Sequence, residues 1–257
     1  MSTIPATANP TAALLIVGNE ILSGRTRDAN LPHIAEKLLD VGILLREARV
    51  VPDVEEEIVT AVNALRVRYD YVFTTGGIGP THDDITSACV AKAFGVALEL
   101  NAEAVARLES HYEPGQLNEA RLRMAHVPAG ATLIDNPISK APGFRMDNVF
   151  VLAGVPQIMQ AMLDGILPGL RGGPAMHART VACGLAEGQI AAGLGALQNH
   201  YPALEIGSYP YFRNGHFGVS LVLRGTSEVQ VNAATEELSA LIRELGGTPS
   251  VTVGTKG

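Results

Sequence analysis

Within about 90 residues of the start, short apolar runs alternate three times with stretches of helical period, and that alternation restricts the chain to βαβ units and a parallel sheet. Ala12–Gly18 is an unbroken apolar run that stops at glycine, as a strand buried on both faces requires. Asn30–Val41 places Ile34, Leu38 and Val41 on one helical face, and Ile43–Val51 predicts the second strand. Pro52-Asp53 then predicts a helix start, with Asp53 as cap and Glu56 three residues on completing a capping box. Ile58, Val62 and Leu65 continue that helix, and Tyr71–Thr75 is a third strand running into Gly76-Gly77. Further helices are expected at Asp84–Phe94, Ala102–His111 and Leu117–Met124, a mostly extended or turning stretch over His126–Phe144, a strand at Asn148–Leu152 and a helix at Gln157–Leu167.

The order changes after Arg171–Ala175, a Gly- and Pro-broken stretch that predicts a linker. Beyond it the pattern is strand, helix, strand, strand, helix and a last short strand near Val251, the split βαβ or ferredoxin-like order. Arg213-Asn214-Gly215-His216 supplies the central hairpin turn, where Asn-Gly favours positive φ. The expected division is a flexible tail over 1–11, an α/β domain over 12–170, a linker over 171–177 and a small α+β domain over 178–257. Hydrophobic residues at 47% against 18% charged allow a sizeable core and argue against disorder.

Charge and cysteine usage narrow the partners. A formal net charge of −7 disfavours nucleic acid and anionic membranes, which select basic surfaces. The two cysteines, Cys89 and Cys183, lie in apolar segments and imply no disulfide framework, so a reducing cytoplasmic compartment is expected. The opening residues carry no basic region followed by an apolar run, and no run is long enough to span a membrane.

In a parallel sheet, ligands lie outside the C-terminal strand ends, where the loops Asn19–Asp28, Pro52-Asp53 and Gly76–Thr86 converge. Gly76, Gly77 and Gly79 follow a strand directly, and without Cβ atoms they let backbone N–H groups approach phosphate oxygens. Pro80 stiffens the loop, Thr81 and Thr86 offer hydroxyl donors, and a helix starting near Asp84 adds its dipole. Asp83 and Asp84 would repel a phosphate unless a hard divalent cation, Mg²⁺, Mn²⁺ or Co²⁺, bridges carboxylate and phosphate; Asp53 would complete its shell. The plainer alternative is that these aspartates cap their helices. Asn19 and Glu20 can reach a polar ring or ribose, Arg25 a phosphate, and Asn136 and Lys140 form a further stiff loop with one cation. His82, inside the glycine loop, is a candidate acid or base without an evident orienting partner, whereas His126 and His200 read as satisfied residues.

GNEILSGRTRDAN, VVPD, TTGGIGPTHDDIT and NPISKAPGF resemble the molybdopterin-binding (MoaB/MogA-like) domain in the form found at the N-terminus of CinA and in the molybdopterin-binding-like half of eukaryotic FAD synthase. The resemblance covers about Ala12–Leu170 and continues more loosely, through IGSYPYF, into the small domain of such chains. It implies a three-layer α/β/α domain with a mostly parallel sheet, and a homo-oligomer, dimer or trimer. For CinA-like and FAD-synthase-like members it implies metal-dependent cleavage of a pyrophosphate in ADP-ribose or FAD. In the adenylylating branch it implies two aspartates that carry metal and chemistry, matching Asp53 and Asp84. Asp83-Asp84-Ile85-Thr86-Ser87 departs from the Arg-Asp-x-Thr-Pro of that branch and tilts toward the CinA-like one, while Leu152-Ala153-Gly154-Val155-Pro156 departs from LPGxP. The nicotinamide-nucleotide deamidase and nucleotidyltransferase domains of the larger proteins are not matched, and their activities are not implied. The expectation is therefore a small-molecule nucleotide or pterin ligand and a metal-dependent pyrophosphatase. Molybdopterin binding or adenylylation is the alternative, and a non-catalytic binding module the second.

Overall fold

A computed structural model describes residues 9–213 and 215–254. Residues 1–8 of the expected tail, and Asn214 of the expected hairpin turn, lie outside the described residues. The chain divides into two compact units with the boundary between Gly173 and Pro174.

The first unit begins with strand β1 (Thr11–Val17), a four-residue helix α1 (Asn19–Leu22), helix α2 (Asn30–Asp40) and strand β2 (Leu44–Val51). Helix α3 (Glu55–Arg68), strand β3 (Tyr71–Thr75) and helix α4 (Thr86–Phe94) follow. Next come β4 (Leu98–Leu100), α5 (Ala102–Glu109), α6 (Glu119–Leu122), β5 (His126–Pro128), β6 (Thr132–Ile134), β7 (Gly143–Met146), β8 (Val149–Leu152) and α7 (Pro156–Ile166). The six-stranded sheet has the order β2-β1-β3-β8-β7-β6. β2, β1, β3 and β8 are mutually parallel; β7 runs antiparallel to β8 and β6 antiparallel to β7. β4 and β5 form a separate antiparallel pair, not anticipated from the sequence.

Three layers follow from which side chains each strand presents. Leu14, Ile16, Phe73, Phe150 and Leu152 face Ile34 and Leu38 of α2 and Met159, Met162 and Leu163 of α7. Leu15, Val17, Val72, Val149 and Val151 face Ile58, Val62 and Leu65 of α3 and Cys89 and Val90 of α4. A strand buried on both faces cannot alternate apolar and polar residues, which is why β1 is apolar from Ala12 to Val17. Asn148 ties α3 to the sheet, its Nδ2 donating to the carbonyls of Arg66 and Tyr69, both at 2.9 Å.

Two expected helix starts are corrected. α4 begins at Thr86 rather than Asp84, because the Asp84 carboxylate turns back to the backbone N–H of Thr81 at 2.8 Å. α3 begins at Glu55 without a side-chain cap: Asp53 accepts instead from the backbone N–H of Asn19 at 2.9 Å, at the start of α1 beyond the neighbouring strand. No capping box forms there.

The second unit consists of β9 (His177–Cys183), α8 (Glu187–His200), β10 (Glu205–Arg213), β11 (His216–Gly225), α9 (Glu228–Glu244) and β12 (Ser250–Val253). Its sheet is wholly antiparallel, in the order β10-β11-β9-β12. Val181, Val219, Leu221 and Leu223 present one face to Ile190 and Leu197 of α8 and to Val231, Ala234, Leu238 and Ile242 of α9. The Ser227 hydroxyl caps α9 by accepting the N–H of Gln230.

Candidate functional site

The first unit gathers its chemistry at one sheet edge. β2, β1, β3 and β8 end there in Val51, Val17, Thr75 and Leu152, and the loop from β6 to β7 enters at the same edge because β7 pairs antiparallel with β8. After β1 the chain passes to α2 on one face; after β3 it passes to α4 on the other. The crevice between the ends of β1 and β3 is thus a topological switch point, where open α/β sheets take ligands. Ile16, Val17, Glu20, Asp28, Asn30, Thr75 and Gly76 are among the residues lining it, around a cavity of about 60 Å³.

The glycine turn is held by close backbone contacts. Gly76, at φ +97°, leaves no room for a Cβ, which would lie 2.2 Å from the Val17 carbonyl oxygen; at Gly77, at φ +68°, it would meet the Thr86 hydroxyl at 2.1 Å. The N–H of Gly76 donates to the Leu152 carbonyl, and the N–H of Thr86 donates to the Gly77 carbonyl. Between these anchors the amides of Gly77, Ile78 and Gly79 donate to no acceptor among the described residues. Three successive N–H groups left open beside a strand end form a concavity suited to an anion.

The predicted residues divide into those that face this turn and those that build it. Thr86 is fully buried, and its hydroxyl donates to the Gly76 carbonyl at 3.0 Å, so it braces the loop instead of offering a proton to a ligand. Asn136 is also buried: its Nδ2 donates to Ser139 Oγ and the Ala141 carbonyl, and its Oδ1 accepts the N–H groups of Ile138 and Ser139. With every side-chain position engaged, Asn136 shapes its loop and is corrected from ligand contact to scaffold. That loop holds Lys140 at φ +59°, a conformation a non-glycine residue keeps only where its surroundings impose it. Pro80 is half-buried within the turn, and Arg25 is exposed.

The carboxylates are arranged differently from the helix-cap alternative. Thr81 Oγ1 lies 2.6 Å from Asp83 Oδ1 and 2.5 Å from Asp84 Oδ2, and its single proton serves one of them at a time. The Thr81 hydrogen bond, followed by the backbone N–H of Asp83 itself, holds the Asp83 carboxyl below the usual range. His82 is exposed, with Nδ1 4.0 Å from Asp83 Oδ1. Asp53 sits across the edge on the Asn19 N–H. No group of three or more His, Cys, Asp or Glu placed to hold a metal ion occurs among the described residues, so Asp53, Asp83 and Asp84 do not form the preassembled triad the sequence suggested. Asp83 and Asp84 remain together on one hydroxyl. Glu20 folds back over the Cα of Gly18 and lines the crevice. His126 and His200 have neighbours of their own, the Leu122 carbonyl and Glu237.

Asn30 and Thr75, which line the crevice, were not among the sequence candidates. A signal existed: Asn30 closes GNEILSGRTRDAN and Thr75 lies in TTGGIGPTHDDIT, at the start of a helix and the end of a buried strand.

Residues 13–172 match the family described as probable molybdopterin binding domain. The chain belongs to that family. Residues 175–246 match a second description, the middle domain of FAD synthase. A protein of Pyrobaculum calidifontis is 34% identical over 252 residues, covering 91% of this chain and 96% of that one. A CinA-like protein of Geotalea uraniireducens is 43% identical over 158 residues, which make up 59% of this chain and 38% of that longer protein. Among solved structures, a CinA protein of Thermoplasma acidophilum, described as of unknown function, is 35% identical at a TM-score of 0.59, covering 63% of this chain and 98% of that one. Membership of this family makes ligand binding the general function of the first unit. Among the described residues no helix is long and apolar enough to cross a membrane.

Proposed function

We propose that this protein binds a nucleotide through its diphosphate and hydrolyses the pyrophosphate bond. The observation that carries the proposal is the run of three open amides at Gly77, Ile78 and Gly79, flanked by the Asp83 and Asp84 carboxylates. Backbone donors at fixed positions stabilise charge that develops on phosphate oxygens without reorganising during the reaction. The two neighbouring carboxylates repel an anion unless a cation lies between them, and all-oxygen donors suit Mg²⁺, Mn²⁺ or Co²⁺. Mg²⁺ typically takes one or two carboxylates plus substrate phosphates, so a third carboxylate is not required. When bound, such an ion neutralises diphosphate charge and lowers the pKa of water it coordinates. Asp83 and Asp84 would hold it, and Asp53 keeps the β1 loop in place through Asn19. Lys140, in the β6–β7 loop at the same edge, would meet a terminal phosphate. Hydrolysis adds water to one phosphorus while the bridging oxygen leaves with the other phosphate.

Incubation with ADP-ribose or FAD and each divalent cation should release AMP, and Asp84→Ala should slow release by about a hundredfold or more. Equal rates in both proteins under every cation would refute hydrolysis. A second reading, binding or adenylylation of molybdopterin by its phosphate at the same turn, is favoured by the description of the matched family. Oxidation of the purified protein followed by fluorescence detection of a co-purified pterin would support it. Nucleotide binding without turnover on any of these substrates would leave a binding module.

A further inference from the structure

At the switch-point crevice two buried polar atoms have no hydrogen-bond partner among the described residues: Asn30 Oδ1 and Thr75 Oγ1. Asn30 is 5% exposed and Thr75 1%, so neither is open to bulk water. Asn30 is not free to turn, because its Nδ2 donates to the Gly154 carbonyl at 2.8 Å; that bond leaves Oδ1 as a fixed acceptor. Thr75 precedes Gly76, and its hydroxyl can donate and accept. A buried polar group left unpaired is destabilising, and such groups persist where a ligand completes them. Two of them on one crevice, one residue from the glycine turn, set the chemistry of what enters. At about 60 Å³ the cavity is well below the roughly 300 Å³ of a whole-ligand pocket, so it admits a hydroxyl or two and not a fused ring.

We propose that this crevice, with Asn30 Oδ1 and Thr75 Oγ1 as its polar contacts, takes the vicinal hydroxyls of a sugar on the same ligand whose phosphate meets the glycine turn. The assignment rests on the phosphate reading above for the ligand's orientation, but its contacts are separate. One sugar hydroxyl donates to Asn30 Oδ1, and its neighbour exchanges a hydrogen bond with Thr75 Oγ1. Nucleotides bearing a cis-diol are then favoured over their deoxy counterparts, because the deoxy sugar leaves a buried partner unpaired.

Isothermal titration with ADP, 2′-deoxy-ADP and inorganic pyrophosphate, each with Mg²⁺, on the intact chain and its variants separates the two sites. Thr75→Val, isosteric and without the orphan hydroxyl, should weaken ADP binding about tenfold, leave pyrophosphate binding unchanged and leave the melting temperature equal or higher. Thr75→Ser should restore ADP binding. The wild-type chain should prefer ADP over 2′-deoxy-ADP by a similar factor. Wild-type affinity of Thr75→Val for ADP, with pyrophosphate still bound, would overturn the sugar site and spare the phosphate reading. Loss of pyrophosphate binding alone, with ADP binding still dependent on Thr75, would overturn the phosphate reading and support the sugar site. No binding of any probe by the wild-type chain would overturn both.

Discussion

The hydroxyl of Thr86 donates to the Gly76 carbonyl from a buried position, so Thr86→Val leaves that carbonyl without its side-chain donor. The expected loss is about 1–2 kcal/mol in the free energy of unfolding, read from denaturant melts, and an unchanged midpoint would remove Thr86 from the brace. Another side-chain set carries a pH signature. Glu47 accepts from the Tyr69 hydroxyl at 2.7 Å, from Arg49 Nε at 2.5 Å and from Arg68 at 3.3 Å; the Tyr69 bond first, then the Arg49 bond, holds its carboxyl below its ordinary 4.5. A group whose folded pKa is depressed stabilises fully above its unfolded pKa and loses that contribution as pH falls through the folded value. Glu47→Gln should therefore lower the melting temperature at neutral pH and flatten its decline below pH 4.5. Parallel acid limbs in a pH series of melts would contradict this. The need for glycine was legible at Gly76 and Gly77, where residue type and a positive φ coincide. Asp53 was misplaced because the capping rule sees only its own helix, whereas its partner, the Asn19 N–H, becomes a neighbour through the pairing of β1 with β2.

Periodicity identified the long elements and failed on the short ones. α2 and α9 bury residues at spacings of three and four, a signal that survives without knowledge of the fold. β4 and β5, three residues each, are too short to show alternation: β4 fell between two expected helices, and β5 at the start of a stretch read only as extended or turning. The start of α4 was drawn two residues early because the propensity of aspartate for a cap was outcompeted by its bonds to Thr81. β3 joins both sheet faces at the centre of the sheet, and Phe73, fully buried, stacks on Phe150 with ring centroids 5.3 Å apart. Phe73→Ala should cost about 3–5 kcal/mol and reduce ligand affinity with it, since β3 carries the glycine turn at its end. A loss under about 1 kcal/mol in chemical denaturation would show that the stack is not a principal support of the sheet.

At the scale of the whole chain, every residue of the proposed site falls before the boundary at Gly173. A fragment ending there should melt cooperatively and bind pyrophosphate as the full chain does, with calorimetry as the readout; an unfolded or non-binding fragment would show that the second unit is required. The two-unit order was readable because the strand and helix sequence changes at Arg171–Ala175, and so was the sheet edge where the loops meet, but the part of Asn30 and Thr75 in the crevice was not, since it arises from the β2-β1-β3-β8 order. The most direct measurement is an amide NMR titration of the ¹⁵N-labelled chain with inorganic pyrophosphate and Mg²⁺. The largest shifts are expected at the N–H groups of Gly77, Ile78 and Gly79, which have no acceptor among the described residues. Saturating pyrophosphate that leaves those three resonances in place would contradict an anion site at the glycine turn.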